Sequence, residues 1–428
     1  MTQQRQLKAL IRLRMDKTGE AYMVARRHVL NSRPGSKYVL RGGVHPESAA
    51  CANTFANRGI DDPSTGEPIG EAMVVGIGGG LGAGYILWEF KDGDRRAVTT
   101  GFRNQWQYPD RWCAKTCERL GVRVEIHETT GPQKAADRLD RALDEGIPVI
   151  AFVSAGDLSY WHLPPDESGW WGYPIVVYAK EGDHYLVDDR NRGTLSISGE
   201  ALAAARGRIP TYKHRLVIAD PAATELDTDT FSTAVRQGIA EQIEHLSAAS
   251  QSFSIPAFAK WAKMLTSTTN AKAWPRVFAD GRGLLGALVS TYEGIDPIGI
   301  LGGNLRGLYA EFLDRAGDVL QHDMSSAADA YRSAASAWDR VAEVCLDVPE
   351  VSAVVDADRA RRAAVGRGDA GQGDAADAAR RSKRTLQDES LALEPDAMAT
   401  LFGRMAGALN EAVTAEKAAL DTLRETAG

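Results

Sequence analysis

The spacing of apolar and polar residues predicts a chain that changes character near its middle. Between Gly42 and Asp220, helical spacing is followed by short apolar runs with the composition of β-strands. Predicted helices cover residues 46–58, 109–121 and 133–145, and predicted strands cover 85–90, 147–153, 173–179 and 184–189. Because the strands cluster after helices and do not alternate strictly with them, the pattern favours an α+β domain over a parallel wound sheet.

The second half is predicted to be helical from about Thr228 onward. Residues 304–320 place apolar side chains on one helical face, and a final helix from Asp396 repeats that spacing. Residues 361–381 are rich in small and charged residues, so we predict a mobile loop or linker there. The predicted organisation is a basic helical arm over residues 1–41, an α+β domain over 42–220 and a helical domain over 228–428.

Composition fits a globular protein of two or three domains. Of the 428 residues, 44% are apolar and 25% are charged, which is ordinary for folded proteins in water. No apolar stretch is long enough for a membrane span and the N-terminus lacks a signal peptide, so we expect a cytoplasmic protein. The four cysteines are too scattered for a disulfide framework, which favours reduced thiols.

Positive charge is concentrated in the N-terminal arm. Residues 1–41 contain ten Lys and Arg against two acids, whereas the whole chain has a net charge of -7. Two short amphipathic helices fit this segment, and we favour a basic arm that folds over the acidic body. A helix-turn-helix is the alternative, but a third helix and a recognition face are missing, so we do not expect nucleic-acid binding.

Two further motifs suggest ligand sites but have simpler explanations. The glycine run at residues 76–85 contains a variant of the dinucleotide fingerprint, but a strand follows it where a nucleotide loop needs a helix. Close packing is the favoured role of these glycines.

Cys113, Cys117 and His127 could supply three zinc ligands. Leu120 shares the helical face of the two cysteines, however, which favours their burial, and we expect neither a metal nor a cofactor.

Aromatic residues crowd the loop SYWHLPPDESGWWGYP at residues 159–174. Trp171 and Tyr173 could rim a pocket for an organic ligand, because aromatic side chains offer a large contact area with few rotatable bonds. Packing over the core is the alternative role for these side chains.

The strongest candidate for chemistry is the stretch GGVHPESAACANTFANRGI, residues 42–60. A helix that begins there presents free N–H groups and the positive end of its dipole, which stabilise a thiolate or an oxyanion. Three polar residues lie at its start: His45, Glu47 and Ser48. Pro46 takes the first-turn position, and Cys51 lies more than one turn inside the helix, where the dipole has little effect. A capping histidine with a first-turn acid is the structural alternative.

Four stretches together resemble the butirosin biosynthesis protein H family over about residues 40–345. They are HPESAACANTFANRGI, GEPIGEAMVVGIGGGLGAGY, YPIVVYAKEGDHYLVDDR and GGNLRGLYAEFLDRA. The resemblance implies a papain-like α+β domain followed by an all-helical domain. It also implies acyl transfer, because the founding member moves an aminoacyl group from an acyl carrier protein thioester to an aminoglycoside amine.

The family pattern is incomplete in this chain. In its catalytic form a cysteine follows the histidine at the helix start, a second histidine opens a strand, and an acid lies on the next strand. The corresponding positions here are Pro46, Tyr173 or Pro174, and Asp188 or Asp189. Proline supplies neither a nucleophile nor a base, so cysteine-based acyl transfer is not available at these positions.

Two functions therefore remain open. The first is an acyltransferase in which an amine attacks a bound thioester directly, with His45, Asp188 or Asp189 as general base. Its candidate substrate contacts are Glu47, Ser48, Asn104, Gln105, Trp171 and Tyr173. The second is a catalytically inactive binding or scaffold protein that keeps the pocket.

The expected partners are a small-molecule amine and an acyl donor, with an acyl carrier protein as the candidate donor. A homodimer stays open, because the predicted helix at residues 396–424 is long and amphipathic. The acyl-transfer hypothesis requires His45 at the mouth of a cleft, facing Asp188 and Asp189.

Overall fold

The computed structural model describes residues 12, 15, 38–90, 95–169, 172–220, 226–297, 302–386 and 391–427. Most of the predicted basic arm lies outside the described residues, and so does Trp171, a predicted substrate contact. The described chain confirms the predicted class, with an α+β first half and a helical second half.

The first half contains the predicted helices and strands, each confirmed to within two residues at its ends. Its helices are α1 (Pro46–Arg58), α2 (Glu71–Ile77), α3 (Pro109–Arg119), α4 (Pro132–Asp144) and α5 (Gly199–Gly207). Its strands are β1 (Tyr85–Glu89), β2 (Arg96–Thr100), β3 (Arg123–His127), β4 (Val149–Ser154), β5 (Gly172–Glu181), β6 (His184–Asp188), β7 (Leu195–Ser198) and β8 (Leu216–Asp220). Proline begins α1, α3 and α4, because its fixed φ and missing N–H suit the first helical turn.

Six strands form one antiparallel sheet in the order β3–β8–β4–β5–β6–β7, and β1 and β2 form a separate hairpin. Alternate residues of a strand face opposite sides of a sheet. On β4, Ile150 and Phe152 therefore pack on the side of α1, whereas Ala151 and Val153 pack on the side of α4. The core on the α1 side continues into the helical half.

The second half is helical throughout its described length. Its helices are α6 (Thr228–Ser247), α7 (Ile255–Thr266), α8 (Trp274–Val277), α9 (Leu284–Ile295), α10 (Arg306–Leu320), α11 (Ser325–Leu346), α12 (Pro349–Gly366), α13 (Gln372–Leu386) and α14 (Pro395–Ala427). The apolar stripe predicted for residues 304–320 is confirmed, since Tyr309, Phe312 and Leu313 are buried on α10. Among the helices described, none combines the length and the apolar character that a membrane span requires.

The predicted mobile loop at residues 361–381 is wrong. α12 runs into this segment, a 3₁₀ turn covers Gly368–Gly371, and α13 follows at once. Alanine, which has the highest helix propensity, makes up much of the segment. The small residues also permit close contact, because a Cβ on Gly371 would lie 1.9 Å from the carbonyl oxygen of Ala364.

The glycine run at residues 76–85 joins α2 to β1, so a helix precedes it and a strand follows it. A nucleotide-binding loop requires the reverse order. Gly80 has a left-handed backbone (φ 69), and a Cβ on Gly76 would lie 2.2 Å from the ring of Phe312. These glycines form a turn and allow α2 to pack closely against α10.

Candidate functional site

The helix entrance, residues 43–48, is organised around a carboxylate from the next helix. Glu71, the first residue of α2, accepts hydrogen bonds from the backbone N–H of Val44 (2.9 Å) and of His45 (2.8 Å). Its Oε1 also accepts from the Ser48 hydroxyl at 2.8 Å. Burial raises the pKa of the Glu71 carboxyl, and these hydrogen bonds oppose that rise. Three donors that an anionic ligand could use at the helix entrance are therefore already engaged.

The imidazole of His45 is buried at this entrance. Its Nε2 lies 3.2 Å from Oε2 of Glu47, and its Nδ1 has no hydrogen-bond partner within the described ranges. Burial lowers the pKa of His45 to about 4, although Glu47 opposes this effect. A neutral imidazole that donates from Nε2 to Glu47 leaves Nδ1 as an unpaired acceptor.

The helical half closes the helix entrance over His45. Gly302, which has a left-handed backbone (φ 83), approaches so closely that a Cβ there would lie 2.6 Å from Cα of His45. Only 7% of His45 is exposed. The expectation that His45 lies at the mouth of an open cleft is therefore wrong, because a segment more than two hundred residues later in the chain covers it.

Glu47 pairs with a second buried partner that the sequence did not single out. Its Oε1 lies 3.4 Å from Nη2 of Arg103. Burial would raise the pKa of Glu47, but His45 and Arg103 outweigh this and hold it below the ordinary value. The Arg103 guanidinium also lies 4.7 Å from the centre of the Trp112 ring.

Asn104 and Gln105 belong to a different cluster. Both donate to Oε1 of Glu241 on α6, Asn104 at 2.6 Å and Gln105 at 3.4 Å. Lys115 and Arg119 of α3 also bind the Glu241 carboxylate. These two predicted substrate contacts therefore join the α+β half to α6. The backbone carbonyl of Asn104 accepts from Arg103, the partner of Glu47, and so connects them to the helix entrance.

Asp189 is surrounded by hydrogen-bond donors. Its Oδ2 accepts from the hydroxyl of Tyr173 (2.5 Å), from Nε1 of Trp161 (2.8 Å) and from the hydroxyl of Tyr160 (3.1 Å). Its Oδ1 accepts from Nε and Nη2 of Arg190. Tyr173 is buried with these groups, so it takes the core-packing role that the sequence left open. A carboxylate with its oxygens engaged in this way is a structural anchor and a poor general base.

Asp188 is buried in a different environment. Its carboxylate accepts from the Tyr38 hydroxyl (3.0 Å), from Nδ2 of Asn53 on α1 (3.0 Å) and from the backbone N–H of Arg190 (3.1 Å). Burial raises the pKa of Asp188 to about 7, despite the hydrogen bond from Tyr38. Among the described residues Asp188 thus has no cationic side chain as a hydrogen-bond donor, unlike Asp189, which pairs with Arg190.

The turn after β6 brings these acids to the helix entrance. Arg190, which pairs with Asp189, also donates from Nη1 to the carbonyl oxygen of Val44 at 3.3 Å. From α12, Arg362 donates to the carbonyl oxygens of Gly43 and Arg190, both at 3.3 Å. His45, Glu47, Ser48, Asp188 and Asp189 therefore lie in one connected buried network, with arginines between the histidine and the acids.

The turn after β6 is bound to the end of α12 through backbone hydrogen bonds. The N–H of Arg192 donates to the carbonyl oxygen of Gly366 at 2.8 Å, and the N–H of Asp369 donates to the carbonyl oxygen of Thr194 at 2.7 Å. The turn that carries the acids is therefore held by the helical half.

The cysteines lie in the core. Cys113 and Cys117 are buried on α3, and Sγ of Cys113 lies 3.5 Å from Sγ of Cys51 on α1. Burial in an apolar core, the favoured interpretation of Cys113 and Cys117, explains these positions.

Two family models match this chain. Residues 45–190 match butirosin biosynthesis protein H, N-terminal, and residues 200–369 match a domain of unknown function (DUF4872). The first match begins at His45 and ends at Arg190, and the second includes Gly302 and Arg362. No curated protein matches the chain significantly.

Proposed function

The chain belongs to the butirosin biosynthesis protein H family, and we propose that it acts in small-molecule biosynthesis as a binding or scaffold protein without acyl transfer of its own. The observation that carries this proposal is the contact of Glu71 with the helix entrance. Its carboxylate accepts from the N–H groups of Val44 and His45 and from the Ser48 hydroxyl. An oxyanion that forms at the helix entrance would meet a carboxylate in place of free donors, and this repulsion opposes catalysis.

The neighbouring side chains support the same conclusion. Pro46 provides no nucleophile where the catalytic pattern has cysteine, and Asp189 is held by Arg190 and three neutral donors. We take the α+β half to be a papain-like domain that binds a pathway amine, an acyl donor or an acyl carrier protein in the cytoplasm. Under this proposal the chain positions or delivers a substrate for a separate enzyme.

A turnover assay with a binding measurement tests the proposal. Full-length protein is incubated with aminoacyl carrier protein thioesters and a panel of amine acceptors, and amide formation is followed by mass spectrometry. We expect thioester loss at the rate seen in buffer, together with saturable binding of an acceptor or carrier by calorimetry. Steady amide formation that depends on His45 contradicts the proposal.

Direct acyl transfer is the second candidate, and one observation favours it. Nδ1 of His45 has no hydrogen-bond partner within the described ranges, and the lowered pKa keeps the imidazole neutral and able to accept a proton. In this mechanism the amine nitrogen bonds to the thioester carbonyl carbon, His45 takes the amine proton, and the carrier thiol leaves with that proton. The mechanism also requires the segment at Gly302 to move away from the helix entrance, because it covers His45 and leaves only 7% of that residue exposed.

The pH dependence of turnover distinguishes this candidate. A base with a pKa of about 4 stays unprotonated above about pH 5, so the rate divided by the concentration of unprotonated amine is expected to be flat from there to neutral pH. The His45→Gln variant, which keeps a polar amide at this position, is expected to abolish turnover. Equal rates in wild type and His45→Gln exclude His45 as the base.

A further inference from the structure

A groove of about 540 Å³ lies between α4 and strands β3 and β8. Its apolar lining includes Ile147 and Ile218, and its basic lining includes Arg58, Arg138 and Arg141. Small-molecule sites commonly have volumes of about 300–1,000 Å³. The groove is therefore large enough for a small organic ligand.

Two of these arginines are neighbours on one face of α4. Arg138 and Arg141 are three residues apart, a spacing that brings helical side chains together. Nη1 of Arg138 donates to the carbonyl oxygen of Glu128 at 3.0 Å, which holds its guanidinium near the end of β3. Arg141 is exposed, and its guanidinium has no hydrogen-bond or ion-pair partner in the part of the chain that the structure describes.

Three acids also line the groove, but two of them lie close to cations. Asp220 is ion-paired with Arg123, and Oε1 of Glu125 lies 3.7 Å from the same guanidinium. Oε2 of Glu125 also lies 3.4 Å from Nε2 of His127. Glu145, just after α4, is exposed. The three arginines of the lining balance its three acids in formal charge, and Arg123 offsets part of the acidic charge from outside the lining. Neither Arg138 nor Arg141 is ion-paired with a described residue, so these two side chains are the cations that a ligand in the groove can reach.

The groove is separate from the helix entrance. α1 carries His45 before its first turn and Arg58 in its last turn, and thirteen helical residues span about 20 Å. Apart from Arg58 at the end of α1, the lining belongs to α4, the residues just after it and strands β3 and β8, and Ile218 of β8 packs with the core on the α4 side of the sheet. A ligand in this groove therefore does not depend on the state of the helix entrance.

We propose that this groove binds a small organic anion, a phosphate or carboxylate attached to an apolar body. The guanidinium groups of Arg138 and Arg141 hold the anionic head, because planar guanidinium groups donate paired hydrogen bonds to such groups. Ile147 and Ile218 contact the apolar body. This site is additional to any site at the helix entrance and does not rest on the function proposed above.

Calorimetry on the full-length protein tests the site with four probes. These are phenyl phosphate, benzoate, inorganic phosphate and benzyl alcohol. We expect phenyl phosphate or benzoate to bind saturably and more tightly than inorganic phosphate, with the tighter of the two identifying the preferred head group. Benzyl alcohol lacks the negative charge and is expected not to bind. Added salt is expected to lower the affinity for phenyl phosphate and benzoate.

Matched variants show whether binding occurs in this groove. Arg141→Gln is expected to weaken binding at least about tenfold through loss of charge-assisted hydrogen bonds. Glu145→Gln removes a nearby negative charge and is expected to strengthen binding. Arg236→Gln changes an exposed arginine of α6 and is expected to leave affinity unchanged.

Two results overturn the proposal. One is an absence of saturable binding of both aromatic anions at millimolar concentration. The other is equal affinity in Arg141→Gln and Arg236→Gln. Because Arg141 is exposed, its replacement leaves the fold intact, and melting temperatures of the variants verify this.

Discussion

Two adjacent aspartates show how strongly burial and hydrogen-bond partners determine the properties of a residue here. Asp189 receives an arginine and three neutral donors, whereas Asp188 receives two neutral side-chain donors and one backbone N–H. The pKa of Asp188 is about 7 in the folded chain, against an ordinary value of 3.8. The folded state therefore holds a proton between these values that the unfolded state has lost.

We expect Asp188→Asn to make the protein more stable than wild type at pH 8. Because the folded state binds the extra proton, wild-type stability falls as pH rises from about 4 to about 7, and asparagine removes this loss. At pH 8 the gain is on the order of 2–4 kcal/mol, and near pH 4 the two proteins have similar stability. Urea unfolding across this pH range measures the difference.

Asp189→Asn is the matched control one residue later. It leaves Arg190 buried without its ion pair, so it is expected to destabilise the protein by about 3 kcal/mol or more at neutral pH. If both variants destabilise the protein equally at pH 8, the two environments do not differ as described.

We expect His45→Gln to protect the protein from acid. The pKa of His45 is about 4 when folded and 6.5 ordinarily, so the unfolded state alone gains a proton between these values. The free energy of unfolding of the wild type therefore decreases as pH falls from 6.5 to about 4. Glutamine does not titrate, so the variant is expected to avoid this decrease, which amounts to at most about 3 kcal/mol. Denaturant midpoints compared with those of His184→Gln, an exposed histidine, measure the effect.

At the residue scale, only part of the site could be predicted. The sequence placed His45, Glu47 and Ser48 at a helix start because proline, glycine and acidic residues have strong preferences there. Glu71 and Arg103 could not be identified in this way, since each is an ordinary charged residue until the fold brings it to the helix entrance. The burial of His45 depends on Gly302, and no local pattern encodes so distant a contact.

At the scale of elements, helices and strands with clear periodicity were predicted well. The structure of a segment rich in small residues was not. The strands around Val149 and Tyr173 carry β-branched and aromatic runs, and the helix at Pro109 carries a proline start. In residues 361–381 the same small residues that are typical of linkers instead allow α12 and α13 to pack. Composition alone cannot distinguish these two uses.

We expect Gly302→Ala to destabilise the protein by about 2–4 kcal/mol. The added Cβ would lie 2.6 Å from Cα of His45, and the backbone at this position is left-handed. The left-handed backbone costs about 1 kcal/mol, and crowding of the Cβ against His45 costs about 1–3 kcal/mol. Urea unfolding measures the loss.

Gly66→Ala separates these two costs. Gly66 is also left-handed (φ 73), but a Cβ there meets no described atom within 4 Å. We expect a loss of about 1 kcal/mol from the backbone alone. Equal losses of stability in Gly302→Ala and Gly66→Ala show that steric contact between Gly302 and the helix entrance does not contribute.

At the scale of the whole molecule, a buried ion pair within the helical half is also hydrogen-bonded to the α+β half. Nε of Arg306 lies 2.6 Å from Oε1 of Glu416, and both side chains are fully buried. Nη2 of Arg306 donates to the carbonyl oxygen of Gly82 at 3.1 Å, and Nε1 of Trp338 donates to Glu416 at 2.7 Å. This network connects α10, α11 and α14 to the loop before β1.

We expect Glu416→Gln to destabilise the protein by about 3–5 kcal/mol, because it leaves a buried arginine without its counter-charge. Glu411→Gln on the same helix is the control, since Glu411 forms an exposed pair with Arg340 and should cost less than about 1 kcal/mol. Unfolding followed by tryptophan fluorescence and by circular dichroism should give one shared midpoint. Two separate midpoints contradict a single cooperative unit.

The contact between the turn after β6 and the end of α12 has an evolutionary consequence. A Cβ on Gly193 would lie 2.2 Å from the carbonyl oxygen of Arg367, and a Cβ on Gly368 would lie 2.0 Å from that of Thr194. A change at either glycine is tolerated only if the opposing backbone moves. Relatives that carry both domains should therefore vary at these positions in a correlated manner. A lineage that separated the domains into two genes would free Gly193 to mutate, whereas the left-handed backbone of Gly368 (φ 71) would still favour glycine.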